Sequence, residues 1–144
     1  MLRLKGKAKA TGLSFFEASM KVLYIAMAAM AGSWLRYELG MYIVHPYATL
    51  LVNLSGCFLI GLFVAGLKKR IRDESVAAAV QTGFIGSFTT FSAFSLDAVH
   101  FAGNGDFFPF ISYVAVSVIG GILLCLLGMK VAPFVLKGDR IGDE

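Results

Sequence analysis

Four long apolar stretches, separated by short polar turns, make up most of this chain. They run over about residues 22–44, 48–67, 75–99 and 107–131. Each has roughly the 20 residues that a helix needs to cross a hydrocarbon core about 30 Å thick. The pattern predicts an all-α integral membrane protein in which residues 1–144 form a single four-helix domain. A basic tail over about residues 1–20 precedes the first helix.

The third stretch differs in composition from the other three. Residues 83–95 read Gly-Phe-Ile-Gly-Ser-Phe-Thr-Thr-Phe-Ser-Ala-Phe-Ser, with two Gly, five hydroxyl side chains and four Phe. An unpaired backbone polar group costs several kcal/mol in hydrocarbon, so residues that loosen a helix are tolerated there only against protein or water. A break at the midplane also frees carbonyls that can bind ions. We therefore expect a third helix broken at mid-membrane, and an ion site of a transporter or channel.

Composition and charge agree with a membrane protein. Hydrophobic residues make up 58% of the chain and charged residues only 15%, too few to cover the surface of a soluble domain. Of the 13 Lys and Arg residues, all but Arg36 lie in or beside the tail, in the turn after the second stretch, or near the end of the chain. The positive-inside rule then predicts a multi-pass protein of the inner or plasma membrane with both termini in the cytoplasm. The basic tail is expected to lie beside anionic lipid.

The sequence shows no set of residues that would make an enzyme. His45 and His100 fall near the ends of stretches and are interpreted as interfacial residues, and Asp97 as an exposed carboxylate near the end of the third. Cys57 and Cys125 lie inside stretches and are interpreted as small apolar residues. A proton-coupled carrier would usually carry an acid deep in the membrane, and no stretch has one there.

Polar residues inside the stretches are few, and each allows two interpretations. Asn53 lies in the second stretch, with Thr49 four residues earlier on the same helix face. Tyr113 and Ser117 are likewise four apart in the fourth stretch, and Gly121 continues their row. Such groups either hydrogen-bond between helices or replace the hydration water of a passing ion. The amide of Asn53 would donate to an anion.

Phe91 and Phe94 are three residues apart and so share a face of the third helix. The rings either pack against lipid and helices or turn their electropositive edges toward a small anion. The second interpretation is favoured by the neighbouring Gly86 and by five hydroxyl side chains, those of Ser87, Thr89, Thr90, Ser92 and Ser95.

The long motif at 83–95 resembles the signature of the Fluc (CrcB-type) fluoride channels, Gly-Phe-x-Gly-Gly-x-Thr-Thr-Phe-Ser-Thr-Phe-Ser. Two further stretches are similar in the same order: Gly-Ser-Trp-Leu-Arg-Tyr at 32–37, and Thr-Leu-Leu-Val-Asn-Leu-Ser-Gly with Leu-Ile-Gly at 49–61. The resemblance implies a passive, fluoride-selective channel that lets cytosolic fluoride leave the cell. It also implies that two four-helix subunits pair antiparallel and form two pores.

The resemblance further implies roles for individual residues. A structural Na⁺ at the two-fold axis of the dimer would be held by the backbone carbonyls of Gly86 and Thr89. Phe91 and Phe94 would line the pores, and Asn53 would present the pore-facing amide. Tyr113 and Ser117 would form the polar track on the fourth helix, with Thr49 also on the fluoride path.

Departures from the family pattern concern both single positions and charge. Ser87 replaces a Gly, Ala93 replaces a Thr, Gly121 stands where a hydroxyl is common, and Ala48 stands where Gly is usual. The one-sided distribution of Lys and Arg conflicts with insertion in both orientations, which an antiparallel homodimer requires. The partner is therefore either a second copy or an oppositely oriented homologue. The alternatives to a channel are a small proton-coupled exporter and a structural membrane subunit.

Overall fold

The computed structural model describes residues 2–137, with side chains from residue 16 to residue 135. Helices make up most of this part of the chain, which contains no strand. Helix α1 spans Leu2–Tyr42, α2 spans Tyr47–Ala65 and is followed by a 3₁₀ turn at Leu67–Lys69, and α6 spans Phe107–Lys137. Three segments are long and apolar enough to cross a membrane: Phe16–Tyr42, Tyr47–Lys69 and Phe107–Val135.

The region of the predicted third span is built from short pieces. Asp73 caps α3 (Glu74–Ala78) by accepting a hydrogen bond from the Ser75 N–H at 2.7 Å. A π-helical segment follows at Ala79–Ile85, then α4 at Gly86–Phe88, and α5 resumes at Phe91–Gly103. We call residues 74–103 the interrupted segment. The predicted break is confirmed, and the π-helical stretch before it was not predicted.

The predicted first, second and fourth stretches each correspond to one long helix, but not at every end. Helix α1 begins at Leu2, so the predicted tail over 1–20 continues the first helix rather than preceding it. The tail is rich in Lys, Ala and Leu, which favour helix and allow α1 to extend beyond the apolar part that starts at Phe16. Helix α6 extends to Lys137, six residues past the predicted end at 131.

Helices α2 and α6 form the most extensive contact of the fold. Two glycines make it possible: a Cβ on Gly61 would collide with the Cys125 carbonyl of α6, and a Cβ on Gly128 would collide with the Phe58 carbonyl of α2. The backbones of the two helices therefore touch directly, as small residues allow in membrane helices.

Gly61→Val should destabilise the subunit by about 1–3 kcal/mol, since the added side chain would have to push α6 away from α2. Thermal unfolding in detergent, followed by the loss of helical circular dichroism, measures this. Gly40→Ala is the matched control because a Cβ at Gly40 meets nothing within 4 Å. Equal midpoints for the two variants would contradict the direct backbone contact.

Helix α1 packs along the interrupted segment, also through glycines. A Cβ on Gly83 would lie 2.6 Å from the Ile25 carbonyl of α1, and Gly32 on α1 meets the backbone at Phe84 in the same way. Ser87 adds a hydrogen bond from its hydroxyl to the Ala29 carbonyl at 2.9 Å. This contact holds the interrupted segment against α1 while its other side faces α2 and α6.

Candidate functional site

A two-residue break separates α4 from α5. Thr89 and Thr90 have extended backbone angles, with ψ of 160° and 123°. The Asn53 amide of α2 spans the break: its Nδ2 donates to the Thr90 carbonyl at 2.9 Å, and its Oδ1 accepts from the Thr90 N–H at 2.8 Å. One side chain thus bonds both backbone groups of Thr90, including the N–H that the break leaves without a helical acceptor.

The break changes what the neighbouring groups can bind. In a continuous helix the Thr90 N–H would donate to the Gly86 carbonyl, but here it donates to Asn53. The Gly86 carbonyl instead lies 3.4 Å from the Thr89 hydroxyl. The Thr90 hydroxyl accepts from the Ala93 N–H at 3.2 Å and caps α5.

Arg36 contacts the break from α1. Its half-buried guanidinium donates to the Thr89 carbonyl over 3.4 Å. Nothing in the pattern of the first stretch distinguished Arg36 as a partner of the break, since the bond joins residues 53 positions apart. The Thr89 carbonyl keeps a second lone pair for another ligand.

A surface depression of about 540 Å³ opens beside the break between α2, the interrupted segment and α6. It brings together six of the eight predicted site residues: Asn53, Gly86, Thr89, Phe91, Phe94 and Ser117. Tyr113 and Thr49 are not among the lining residues, so the predicted polar row does not continue as one surface in the single chain.

Aromatic rings continue from the depression into the protein. Phe91 is 80% exposed, and its ring centroid lies 5.8 Å from that of Phe94. Phe94 stacks on buried Tyr113 at 5.5 Å, and Tyr113 contacts Phe101 at 5.7 Å. The rings thus form a row with only its outer member, Phe91, uncovered.

Tyr113 also joins a polar cluster that the sequence did not predict. Its hydroxyl donates to Asp97 Oδ2 at 3.1 Å, and Asp97 Oδ1 lies 3.6 Å from His45 Nδ1. That nitrogen lies 3.3 Å from the hydroxyl of buried Thr49. The interpretation of Asp97 as exposed is wrong, because only 13% of its side chain is accessible. The sequence contained one signal for this position: Asp97 lies three residues after Phe94 and therefore on the same helix face.

Ser117 and the positions that depart from the family pattern each have an identifiable structural setting. The Ser117 hydroxyl donates to the Tyr113 carbonyl of its own helix at 2.7 Å. A Cβ on Gly121 would lie 3.2 Å from Cys57 Sγ, so Gly121 allows α2 to pack closely there. Ala48 is buried, and Ser87 has a negative φ, as every non-glycine residue in the described part does.

Within residues 16–135 no group of three or more His, Cys, Asp or Glu side chains could hold a metal ion. The oxygen atoms available near the break are therefore neutral: the carbonyls of Gly86 and Thr89, and nearby hydroxyls. Neutral oxygens suit a hard monovalent cation, and the N–H and O–H donors near the break suit an anion. Neither set suits a transition metal.

The fold and the site define a class of protein. Three membrane-length helices and an interrupted segment, with polar groups collected at the interruption, make this a multi-pass cell membrane protein built around an ion or solute site. Residues 23–129 match the family described as CrcB-like protein, Camphor Resistance (CrcB). The chain belongs to this family.

Named relatives agree with the family. "Fluoride-specific ion channel FluC 1" of Bacillus thuringiensis subsp. konkukian (strain 97-27) is 38% identical over 126 residues, covering 81% of this chain and 92% of the relative. "Fluoride-specific ion channel FluC 2" of Listeria innocua serovar 6a is 37% identical over 122 residues, with coverages of 82% and 95%. "Fluoride-specific ion channel FluC" of Chloroflexus aurantiacus is 35% identical over 115 residues, with coverages of 75% and 91%.

Proposed function

We propose that this protein is a passive fluoride-selective channel that exports cytosolic fluoride. The observation that carries the proposal is the break at Thr89–Thr90, bracketed by Asn53 and facing a depression lined by Phe91 and Phe94. Membership of the CrcB-like family and the names of the relatives support fluoride as the ion. The interrupted segment supplies the third of four membrane crossings, over about residues 75–99, with its break at mid-membrane.

The channel is an antiparallel dimer with two pores. Support comes from the surface: the depression beside the break is open in the single chain, and Phe91 at its edge is 80% exposed. A lone four-helix bundle would leave the polar groups in this depression, such as Asn53 and Thr90, against lipid, where unpaired polar groups are costly. A second subunit facing it closes each depression into a sheltered path.

Donors along the path replace the hydration of fluoride. The Asn53 Nδ2 carries two hydrogens, and only one is needed for the bond to the Thr90 carbonyl. The other is available to an anion. Phe91 and Phe94 offer ring edges, while Ser117, Tyr113 and Thr49 are the further polar stations. Fluoride is small and strongly hydrated, so it is the halide that gains most from such donors.

A structural Na⁺ fits the groups at the break. The Gly86 carbonyl has lost its helical main-chain donor, and the Thr89 carbonyl has a lone pair beyond its bond to Arg36. Two subunits related by a two-fold axis would present each carbonyl twice, which makes four neutral oxygens. The ion would hold the two breaks together by neutralising the carbonyl dipoles.

Purified protein in liposomes tests the function directly. Vesicles loaded with potassium fluoride should release fluoride when valinomycin permits charge balance, whereas vesicles loaded with potassium chloride should keep their chloride. Copies in detergent are free to pair in either relative orientation, so this assay does not depend on orientation in the cell. Equal release of the two halides would refute selectivity.

Removing Na⁺ should abolish fluoride efflux, because the carbonyls of Gly86 and Thr89 from two subunits would face one another without a cation. Protein purified and reconstituted in N-methylglucamine salts is compared with protein kept in Na⁺, using the same fluoride electrode. Restoring Na⁺ should restore the flux. Efflux that is equally fast in the Na⁺-free preparation would rule out the structural ion.

One observation favours a second candidate, a proton-coupled exporter. Asp97 is only 13% exposed and is hydrogen-bonded to Tyr113, which is the setting of a carboxylate that carries protons. It lies seven residues past the break, toward one end of the interrupted segment. This position favours a role in orienting Tyr113 over proton transport.

Asp97→Asn separates the two candidates because it removes the titratable proton and keeps an acceptor for Tyr113. In the channel, fluoride efflux should persist and be independent of an imposed pH gradient. An exporter would lose gradient-driven flux in this variant. Wild-type protein with the gradient collapsed by a protonophore is the control. If fluoride flux through the wild type required the pH gradient, the protein would be an exporter and not a channel.

A further inference from the structure

We infer that His45 tunes the fluoride path through its protonation: the imidazolium compensates the Asp97 carboxylate and lets fluoride pass faster, whereas the neutral ring does not. The inference rests on the proposed fluoride channel and adds a residue to its path. The observations that carry it are the contacts of His45 with Asp97 and Thr49, and the depression that His45 and Thr49 line.

A second depression, of about 400 Å³, approaches the break from the face of the membrane that carries the turn at residues 43–46. Thr90 lines this depression and also the one of about 540 Å³ beside α6, so both reach the break. Arg36, His45 and Thr49 line it as well, and no Asp or Glu is among the described residues that do. Cationic groups and hydroxyls next to the break suit an anion.

The Asp97 carboxylate of α5 lies close to two of the proposed polar stations, Tyr113 and Thr49. One of its oxygens accepts a hydrogen bond from the Tyr113 hydroxyl at 3.1 Å. The other lies 3.6 Å from His45 Nδ1, which in turn lies 3.3 Å from the Thr49 hydroxyl. Only 13% of the Asp97 side chain is accessible, so water and salt screen its charge poorly. Without a compensating cation, this negative charge disfavours an anion at either station.

His45 can supply the compensating charge. It lies in the turn before α2 with 62% of its side chain accessible, so it can exchange protons with the solution on that side. Histidine ordinarily changes its charge between about pH 5 and pH 8. The protonated ring pairs with Asp97, whereas a neutral ring with its hydrogen on Nε2 carries no charge and accepts the hydrogen of the Thr49 hydroxyl. Acid therefore compensates the carboxylate and also frees the Thr49 hydrogen for an anion.

The other titratable and charged groups that face His45 do not change their charge in this range. Arg36 and Tyr37 of α1 line the second depression together with His45. An arginine stays charged and a tyrosine stays neutral between about pH 5 and pH 8. Tyr113 of α6 is connected to His45 through Asp97. The pH dependence is therefore expected to come from the pair of His45 and Asp97.

Fluoride efflux from liposomes tests this when the pH is equal inside and outside and is varied from about 7.5 to about 5.5, across the range in which histidine titrates. Wild-type efflux should rise about two- to fivefold as the pH falls, a modest factor because ion pairs with an exposed partner are weak. His45→Gln should be slow at every pH, and Asp97→Asn should already be fast at the highest pH. Protein-free vesicles give the leak of hydrogen fluoride, which is subtracted.

His100→Gln is the matched control because the chain has only two histidines. His100 is exposed, and its ring contacts Asn104 at 3.3 Å rather than a carboxylate. This variant should keep the wild-type pH profile. His45→Arg carries a positive charge at every pH and should be fast throughout. A purely structural role of the His45 ring would not produce that result.

The failure of this inference and the failure of the proposed function can be told apart. Selective fluoride efflux that does not change with pH, or a pH dependence that survives in His45→Gln, would overturn the role of His45 and leave the channel intact. Slow efflux from Asp97→Asn at the highest pH would overturn Asp97 as the charge that His45 compensates. Equal release of fluoride and chloride would refute the selective channel, and the role of His45 with it.

Discussion

Asn53→Ala should reduce fluoride efflux from liposomes by about tenfold or more, with the dimer still assembled. The substitution removes both hydrogen bonds across the break and leaves the Thr90 N–H without an acceptor. Each unpaired group costs about 1–3 kcal/mol, and each 1.4 kcal/mol that disfavours the conducting geometry corresponds to a tenfold loss of rate. The donor proposed for the anion disappears as well. Fluoride-electrode recordings at matched protein density measure the effect.

Two further variants show which function of Asn53 matters. Ser55→Ala is the matched control on the same helix, since the Ser55 hydroxyl donates to the Leu51 carbonyl of α2 itself. Its efflux should equal that of the wild type. Asn53→Asp keeps the acceptor for the Thr90 N–H but loses both amide donors, and it places a negative charge on the path. If both Asn53 variants showed normal efflux, the role of Asn53 would be limited to packing between helices.

Phe91→Ile should lower fluoride efflux by about tenfold while changing the stability of the subunit by no more than about 1.5 kcal/mol. The ring is 80% exposed in the single chain, so its removal sacrifices little packing inside the subunit. What disappears is an aromatic edge facing the proposed path, and an aliphatic side chain cannot offer its electropositive hydrogens to an anion. A lost ring contact with Phe94 would account for about 0.5–1.5 kcal/mol of any further change.

Phe108→Ile provides an unusually close control for this experiment. Phe108 is 81% exposed, almost the same as Phe91, but it lies at the start of α6 and does not line the depression. The two substitutions remove the same atoms from equally exposed sites. Efflux reduced to the same degree by both would show that the loss comes from the membrane or the assembly, not from a ring on the path.

The hydrophobic pattern was sufficient to predict where the helices and the break lie. The apolar stretches correspond to α1, α2, the interrupted segment and α6, because the length of an apolar run is dictated by the thickness of the bilayer. The break at Thr89–Thr90 lies inside the motif that predicted it, since Gly and hydroxyl side chains weaken a helix locally. Six of the eight predicted site residues share one depression for the same reason: they surround that break.

What the pattern could not predict depends on pairs of residues far apart in the chain. The contact of Arg36 with Thr89 joins two helices, and the cluster of Asp97, Tyr113 and His45 joins three elements. Periodicity reports which face a residue occupies, not which residue of another helix meets it. The π-helical segment at Ala79–Ile85 was likewise not predicted, and it lies where α1 approaches closely at Gly83.

The clamp of Asn53 on Thr90 has a consequence for regulation. Two short hydrogen bonds from one side chain, together with the cap by Thr90, make the interruption a fixed joint rather than a hinge. A channel built around a fixed joint would have no moving part at that point to close it. The membrane potential of the cell would then be maintained only if chloride could not pass through the channel. Discrimination between halides, not gating, would protect the host.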